Sequence, residues 1–370
     1  MPVNKSEFAS HDWVVIDGSY GEGGGQILRT SLALSALTGQ AVHIERIRAG
    51  RERPGLRPQH LTGVHAVQTI TNAYVEGDRV NSMALKFAPS KLQSGEWTFD
   101  ISAKRPSAGS IALVFQTVLP ALLFAGGTST VHIVRGGTHV PMSPPMDYIK
   151  HVFLPTLARM GANVDLEVER AGWYPKGGGA VHAHIHSLQK LTPVQITERG
   201  ALKRIHVLSA VSNLKRSIAE RQARQAQRRL NEMGISRQFI EVTTTSFPSI
   251  GQGTMVFLLA EYEHVVAGFS SLGERGKPAE RVADEAIDEF AQYLAREEPV
   301  DPRLSDQLVL YMALAEGQSL IRTSQLTLHT TTNIWVVQRF LPVEFNVSAT
   351  LGQPAEIRVD GMGFGTAQSR

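Results

Sequence analysis

The chain of 370 residues contains no cysteine. Disulfides, thiolate nucleophiles and cysteine-ligated zinc or iron–sulfur sites are therefore excluded. A large excess of charge is lacking too: 37 Lys and Arg against 34 Asp and Glu leave a formal net charge of +3. That balance argues against histone-like coating of nucleic acid and leaves room for a focused basic patch. Long hydrophobic runs are also missing. The longest, Ile111 to Ala125, contains Gln116 and Pro120 and is too short to span a bilayer. Met1 to Asp17 carries Lys5, Glu7, His11 and Asp12 and lacks the apolar run of a signal peptide. These absences predict a soluble, cytoplasmic protein with no membrane partner. What is present is 42% hydrophobic residues, ample for a core. The length exceeds the usual single domain, so a large domain with a second or inserted unit is expected.

Three segments share one layout of apolar helix, glycine, then strand. They are Ile27 to Leu37 with Gly39 before Val42-His43-Ile44, Ile111 to Phe124 with Gly126-Gly127 before Val131-His132-Ile133, and Leu304 to Ala315 with Gly317 before Leu320-Ile321. A second helix follows each, from Pro58, Pro144 and Thr331, and then extended segments at Leu85 to Phe87, Val164 to Val168 and Val343 to Val347. This predicts an internal α/β repeat, with about 90 residues between the first two copies. Ordinary helix–strand alternation is the competing reading. Between the second and third copies the extra chain reads as a strand (Leu202 to Ser209), a charged helix (Leu214 to Met233) and two further strands, bounded by turns near Gly200 and Gly273. An inserted α/β domain over 201–275, within a large domain of 1–200 and 276–370, is expected. The helix Ala279 to Leu294 is expected to return to the core.

Around His329, Leu326 and Leu328 alternate with Thr327 and His329 as in a half-buried strand, whereas Ile334, Val337 and Phe340 repeat at helical spacing. The imidazole is therefore expected where a strand ends and a helix N-terminus opens. Free N–H groups there attract phosphate. The run Gly21-Glu22-Gly23-Gly24-Gly25-Gln26 feeds another helix and lets backbone approach a ligand, although it lacks the Lys-Ser/Thr of a P-loop. Glu22 within it would repel phosphate unless a metal ion bridges them, which suggests Mg²⁺; a tight turn with a solvated glutamate is the alternative. Arg48, Arg51, Arg53 and Arg57 lie on a loop fixed by Gly and Pro. Arginine suits phosphate through paired N–H bonds, and a solvated basic loop is the alternative. Asp306 lies one turn into an apolar helix, either as a favourable charge for the helix dipole or as a partner for ribose, metal or imidazole. Gly177-Gly178-Gly179 reads as a hairpin more readily than as a phosphate-facing turn. His182, His184 and His186 share one strand face without a carboxylate to complete a metal set.

Taken together, Gly21 to Gln26, Ile47-Arg48-Ala49-Gly50-Arg51 with Pro54-Gly55-Leu56 and Gln59-His60-Leu61, Gln116 to Pro120, Tyr174 to Gly179, Asp306-Gln307-Leu308 and His329 with Thr332-Asn333 resemble the RNA 3′-terminal phosphate cyclase family. The resemblance runs in order over nearly the whole chain and is weakest over 201–275. It implies an α/β fold of three repeats, each like the C-terminal domain of translation initiation factor 3, with a smaller domain inserted before the last. It implies a ligase-type activity: ATP-dependent conversion of an RNA 3′-phosphate to a 2′,3′-cyclic phosphate, through a covalent histidine-AMP at His329 and an RNA-adenylate.

By match to the family's motifs, Glu22 places metal (Mg²⁺ or Mn²⁺) or nucleotide. Arg29, Arg48, Arg51, Gln59 and His60 hold RNA phosphate or triphosphate. Gln116 and Arg303, Leu304, Ser305, Asp306 and Gln307 line the ATP site. The arginine loop, distant in sequence from His329, is assigned to RNA rather than ATP. Arg303 departs from a tyrosine common at its position, so adenine stacking there would use a guanidinium. A histidine is largely neutral at pH 7 and can attack phosphorus without a separate base. A non-catalytic relative that binds RNA in ribosome assembly is the alternative, and His329 with the intact Arg48/Arg51 loop argues against it. An enolpyruvyl transferase of related architecture would need neither feature. The sequence leaves open the oligomeric state, a homodimer among the options, and the role of the arginine-rich helix, for which simple solvation is favoured over RNA contact.

Overall fold

The structure, a computed structural model, describes residues 12–102 and 107–365. Most of the N-terminal stretch read above for a signal peptide, residues 1–11, lies outside the described residues. Three four-stranded sheets repeat one plan. In the first unit, β1 (Val14–Asp17), α1 (Gly25–Thr38), β2 (Val42–Glu45), α2 (Pro58–Thr71), β3 (Tyr74–Glu76) and β4 (Leu85–Ala88) form the sheet β1-β2-β4-β3. In the second, β5 (Glu96–Asp100), α3 (Ile111–Leu122), β6 (Ser129–Gly136), α4 (146–158, with a π turn at Ile149–Phe153), β7 (Asn163–Arg170) and β8 (Gly179–His186) form β5-β6-β8-β7.

The chain then adds β9 (Gln195–Ile196) and leaves the pattern. It makes β10 (Leu202–Ser212), α5 (Arg216–Glu232), β11 (Ile240–Ser246), β12 (Gly253–Tyr262), β13 (Val266–Leu272) and α6 (Ala279–Leu294). The third unit resumes with α7 (Pro302–Leu314), β14 (Glu316–Thr323), α8 (Leu328–Phe340), β15 (Phe345–Val347) and β16 (Ala355–Met362), and its sheet is β15-β16-β14-β9. In each of the three sheets the first two strands pair in parallel across a helix, and the remaining pairs are antiparallel. The 202–272 strands form a fourth sheet, β11-β10-β12-β13.

The apolar first helices account for the core. α1 packs on α2, α3 and α8, and α8 also packs on α7, so the start of α8 is carried to the glycine run that opens α1. Tyr148 ties α4 to α7: its hydroxyl donates to Asp301 at 2.8 Å, and Asp301 also caps α7 through the N–H groups of Arg303 and Leu304. The expectation that Ala279 to Leu294 returns to the core is corrected. α6 packs on α5, β12 and β13, because its buried face of Val282, Ala286, Phe290 and Tyr293 meets the fourth sheet. Among the described residues no helix is long and apolar enough to cross a membrane.

Candidate active site

The three units and the fourth sheet enclose a cleft of about 930 Å³. Eleven of the thirteen residues expected to bind ligand line it: Glu22, Arg29, Arg48, Arg51, Gln59, His60, Gln116, Arg303, Asp306, Gln307 and His329. The two exceptions are Leu304 and Ser305. Both side chains are fully buried, and Ser305 Oγ bonds Pro302 O at 2.9 Å and meets Thr330 Oγ1 at 3.2 Å. They seat α7 against α8 behind the cleft wall, which corrects their placement among the ligand-facing residues.

His329 is the second residue of α8, whose N-cap Thr327 accepts from the Thr330 N–H at 3.1 Å. The expected strand over 326–328 does not form. Leu326 instead bonds a turn, donating to Gln353 O at 2.7 Å and accepting from Gly352 N–H at 2.9 Å, and it is buried while Leu328 is exposed, so the two leucines do not share a strand face. His329 Nδ1 meets Gln26 Oε1 in a short hydrogen bond and lies 3.2 Å from Glu22 Oε2. Glu22 is itself ion-paired to Arg51. An ionised carboxylate only accepts, so Nδ1 carries the ring proton and Nε2 keeps its lone pair. Desolvation, with help from Arg29 and Arg51, lowers the His329 pKa below the usual 6.5. The ring is neutral at pH 7 while 48% of the side chain stays open.

His60 is also held neutral, but its burial and its tautomer are the opposite. It is 7% exposed, and its Nδ1 accepts the Arg57 N–H at 3.0 Å at the start of α2. The proton of this neutral ring therefore sits on Nε2, leaving no free lone pair there. Burial, then Arg29, Arg48 and Arg57, push its pKa down to about 3.

The glycine run allows these groups to meet. A Cβ on Gly24 would lie 2.7 Å from Glu22 Oε2, and one on Gly25 would lie 2.6 Å from His60 Nε2. Arg48 donates to Arg53 O at 2.7 Å and Gly55 O at 2.9 Å, so part of its capacity holds the loop's own shape. Burial lowers the Arg29 pKa to about 10 against the pull of Asp306, and the group remains a cation at pH 7. Burial likewise raises Asp306 to about 7, opposed by Arg29. Because Asp301 fills the capping role of α7, Asp306 is left to the cleft. Gln307 Oε1 is buried and has no hydrogen-bond partner among the described residues. An acceptor in that state calls for a donor from ligand or water.

Sequence reasoning missed several groups. Gln26 stood inside the glycine motif with no assigned role, yet it orients His329; its place in the first turn of a helix entered by glycines was the available signal. Thr332 Oγ1 accepts the Glu22 N–H at 3.3 Å and so fixes the loop to α8. Segment 140–145 lines the cleft and is pinned where His139 Nε2 meets Asp147 Oδ2 at 2.7 Å. Ser271, Lys277 and Glu285 form a wall from the fourth sheet and α6, and Glu289 holds Arg303 at 2.8 Å. The triple-histidine strand and the triple glycine lie outside this lining. His182 stacks on His132 with centroids 4.5 Å apart, and among the described residues no set of three or more His, Asp or Glu side chains is arranged to hold a metal.

The family profile described as "RTC: RNA 3'-terminal phosphate cyclase" matches residues 20–347. The chain is similar to proteins named "RNA 3'-terminal phosphate cyclase" from several organisms. It is 44% identical to that of Gloeothece citriformis, over 88% of this chain and 93% of the relative. It is 46% identical to that of Methylococcus capsulatus, over 88% and 90%, and 43% identical to that of Thermococcus kodakarensis, over 94% and 98%. A solved structure, the enolpyruvyl transferase NikO from Streptomyces tendae, aligns with 92% of this chain and 80% of its own at 13% identity. Its TM-score of 0.26 is too low to bear on fold or chemistry.

Proposed function

Because the chain belongs to the RNA 3′-terminal phosphate cyclase family, we propose that it uses ATP to convert an RNA 3′-phosphate to a 2′,3′-cyclic phosphate, with His329 as the nucleophile. The observation that carries this is the acceptor-only surroundings of His329 Nδ1, which keep the Nε2 lone pair free beside cationic Arg29 and Arg51. Nε2 attacks the α-phosphorus of ATP; an N–P bond forms, the P–O bond to pyrophosphate breaks, and pyrophosphate leaves. An oxygen of the RNA 3′-phosphate then displaces the histidine and takes AMP. Finally the 2′-hydroxyl attacks the activated phosphorus, losing its proton, and AMP departs.

The arginines offset the charge that would keep two anions apart. Gln307 Oε1 is suited to a ribose hydroxyl. A nucleotide-borne Mg²⁺ or Mn²⁺ needs only one or two carboxylates besides phosphate oxygens and water. Glu22 fits that need, and the bound ion would neutralise charge on the departing pyrophosphate. Each of the three α/β units is proposed to be of the kind found in the C-terminal domain of translation initiation factor 3, with the 201–275 strands and helix as an insert.

Incubation with α-labelled ATP tests the reading. An acid-labile, alkali-stable protein-AMP adduct is expected, and it should be lost in His329→Asn while the thermal midpoint stays unchanged. Asparagine keeps a hydrogen-bonding group of similar reach but forms no phosphoramidate. An adduct that persists in His329→Asn refutes the assignment; absence of any adduct in the parent protein favours the non-catalytic RNA-binding alternative.

A further inference from the structure

Outside the cleft lining, just before the glycine run, Tyr20 stacks on Trp335 of α8 with ring centroids 4.1 Å apart and planes 13° from parallel. Tyr20 is 43% exposed although one of its faces is covered. The guanidinium of Arg339 lies 5.1 Å from the Trp335 ring centroid, and among the described residues it has no carboxylate partner. Leu328, next to His329 and 41% exposed, lies seven residues before Trp335 and so on the same helix face. Along the axis, His329 and Trp335 are about 9 Å apart, close to the spacing of one or two nucleotides in an extended strand. Nothing in the catalytic sequence above uses this stack.

We propose that Tyr20, backed by Trp335 and flanked by Arg339, is a stacking platform for a nucleobase of the RNA one or two positions before its 3′ end. The proposal rests on the cyclase reading, since it takes the RNA terminus to be at His329. An exposed ring held flat by a second ring offers a π-face at little entropic cost, and such a face accepts any base. Arg339, whose guanidinium lies over Trp335, adds positive charge to this end of α8 that suits the backbone phosphates of a bound strand. The tie of Glu22 N–H to Thr332 Oγ1 fixes the platform's loop to the same helix that carries His329, so base and reacting end are held in one frame.

The test compares a nucleoside 3′-phosphate, which has no preceding base, with a hexanucleotide ending in a 3′-phosphate, by fluorescence anisotropy. The parent protein should bind the hexanucleotide more tightly. Tyr20→Ala should weaken the hexanucleotide about tenfold while leaving the mononucleotide unchanged. Tyr20→Phe should restore the difference, and an abasic site at the second or third position from the 3′ end should reproduce the loss in the parent but add nothing in Tyr20→Ala. An unaltered hexanucleotide-to-mononucleotide ratio in Tyr20→Ala, or a parent protein with no length preference, overturns the platform. A change in self-association or protein binding with RNA affinity untouched does so as well. The adenylation assay run without RNA separates the two readings: a normal adduct with an unaltered ratio removes the platform alone, and a length effect without any adduct removes the catalytic reading alone.

Discussion

Two regions of this molecule are rich in arginine, and they use it in opposite ways. On α5 most guanidiniums are matched by carboxylates: Arg221 pairs with Glu280, Arg229 with Asp284 and Asp288, and Arg228 with Glu232. At the cleft, the carboxylate acting on buried Arg29 is Asp306, whose own charge is disfavoured by burial, and Arg48 spends its bonds on backbone carbonyls of its own loop. The cleft thus keeps positive potential that an incoming phosphate can use, whereas the α5–α6 pair has already neutralised its own. A count of arginines does not separate the two regions; the carboxylates across from them do.

The comparison breaks most visibly at Arg51, the cleft arginine that does have a carboxylate. Its pairing with Glu22, which in turn contacts His329, places it in the nucleophile's surroundings as well as on the loop assigned to RNA. Arg51→Ala is expected to slow both protein-AMP formation and its discharge to RNA by about a hundredfold, equivalent to roughly 3 kcal/mol of transition-state stabilisation. Arg48→Ala should instead raise the RNA KM about tenfold and leave adduct formation near normal. Single-turnover measurement of the two half-reactions decides it. A normal adduct rate in Arg51→Ala would return the whole loop to RNA alone.

The two histidines sharpen the contrast through pH. The lowered pKa of His329 keeps its ring neutral, so adenylation should hold level from pH 7 to somewhat below 6.5 and then fall as the lone pair is lost. In Arg51→Ala that acid limb should move to higher pH, because one of the depressing charges is gone. For His60 the linkage concerns stability. Its folded pKa of about 3 lies below the ordinary 6.5 of a free imidazole, so its contribution is complete above pH 6.5 and is lost as pH falls toward 3, by up to about 1.4 kcal/mol per pH unit. Asp306 runs the other way: its pKa rises from 3.8 to about 7, so its contribution is complete below 3.8 and is lost as pH rises through 7. Urea midpoints between pH 7 and pH 4.5 should therefore drop less steeply in His60→Gln than in the parent, and equal slopes would contradict the buried neutral ring.

Much of this was legible in the sequence because the signals were local. Glycine before a helix, arginine on a Gly/Pro loop and apolar helices followed by glycine stops each reflect backbone physics confined to a few residues. What could not be read depended on partners far along the chain. Leu304 and Ser305 carry the same helix-start pattern as Arg303 and Asp306, and only the docking of α8 decides that they turn inward. The apparent strand at 326–328 does not form because Leu326 is taken up by the 350–353 turn while Leu328 already opens α8. Helix α6 showed one apolar face, which says that it packs somewhere but not on which sheet. Gln26 meets His329 and Glu22 meets Thr332, each pair over 300 positions apart, because α1 and the glycine run before it pack on α8, and no spacing rule connects them.

The smallest expected effect lies on the arginine helix. Arg229 bridges Asp284 at 2.8 Å and Asp288 at 2.7 Å with 27% of its side chain open, so its charge is matched and both terminal nitrogens are engaged. If the α5 arginines served RNA, Arg229→Gln would weaken binding of a 3′-phosphorylated oligonucleotide and reduce the salt dependence of that binding by about one phosphate's worth. If they serve the helix pair, affinity and salt slope should be unchanged, and stability should fall by at most about 1 kcal/mol, since partly exposed ion pairs contribute little even in a network. That loss corresponds to a few degrees or less in the thermal midpoint. Coupling separates the outcomes further. Asp288→Asn should cost less in the Arg229→Gln background than alone, because the partner is already gone, whereas an RNA-contacting arginine would show no such dependence on a carboxylate of α6. A reduced salt slope with additive stability effects would mean that α5 reaches RNA after all, and the division between neutralised and available arginine would then have to be redrawn.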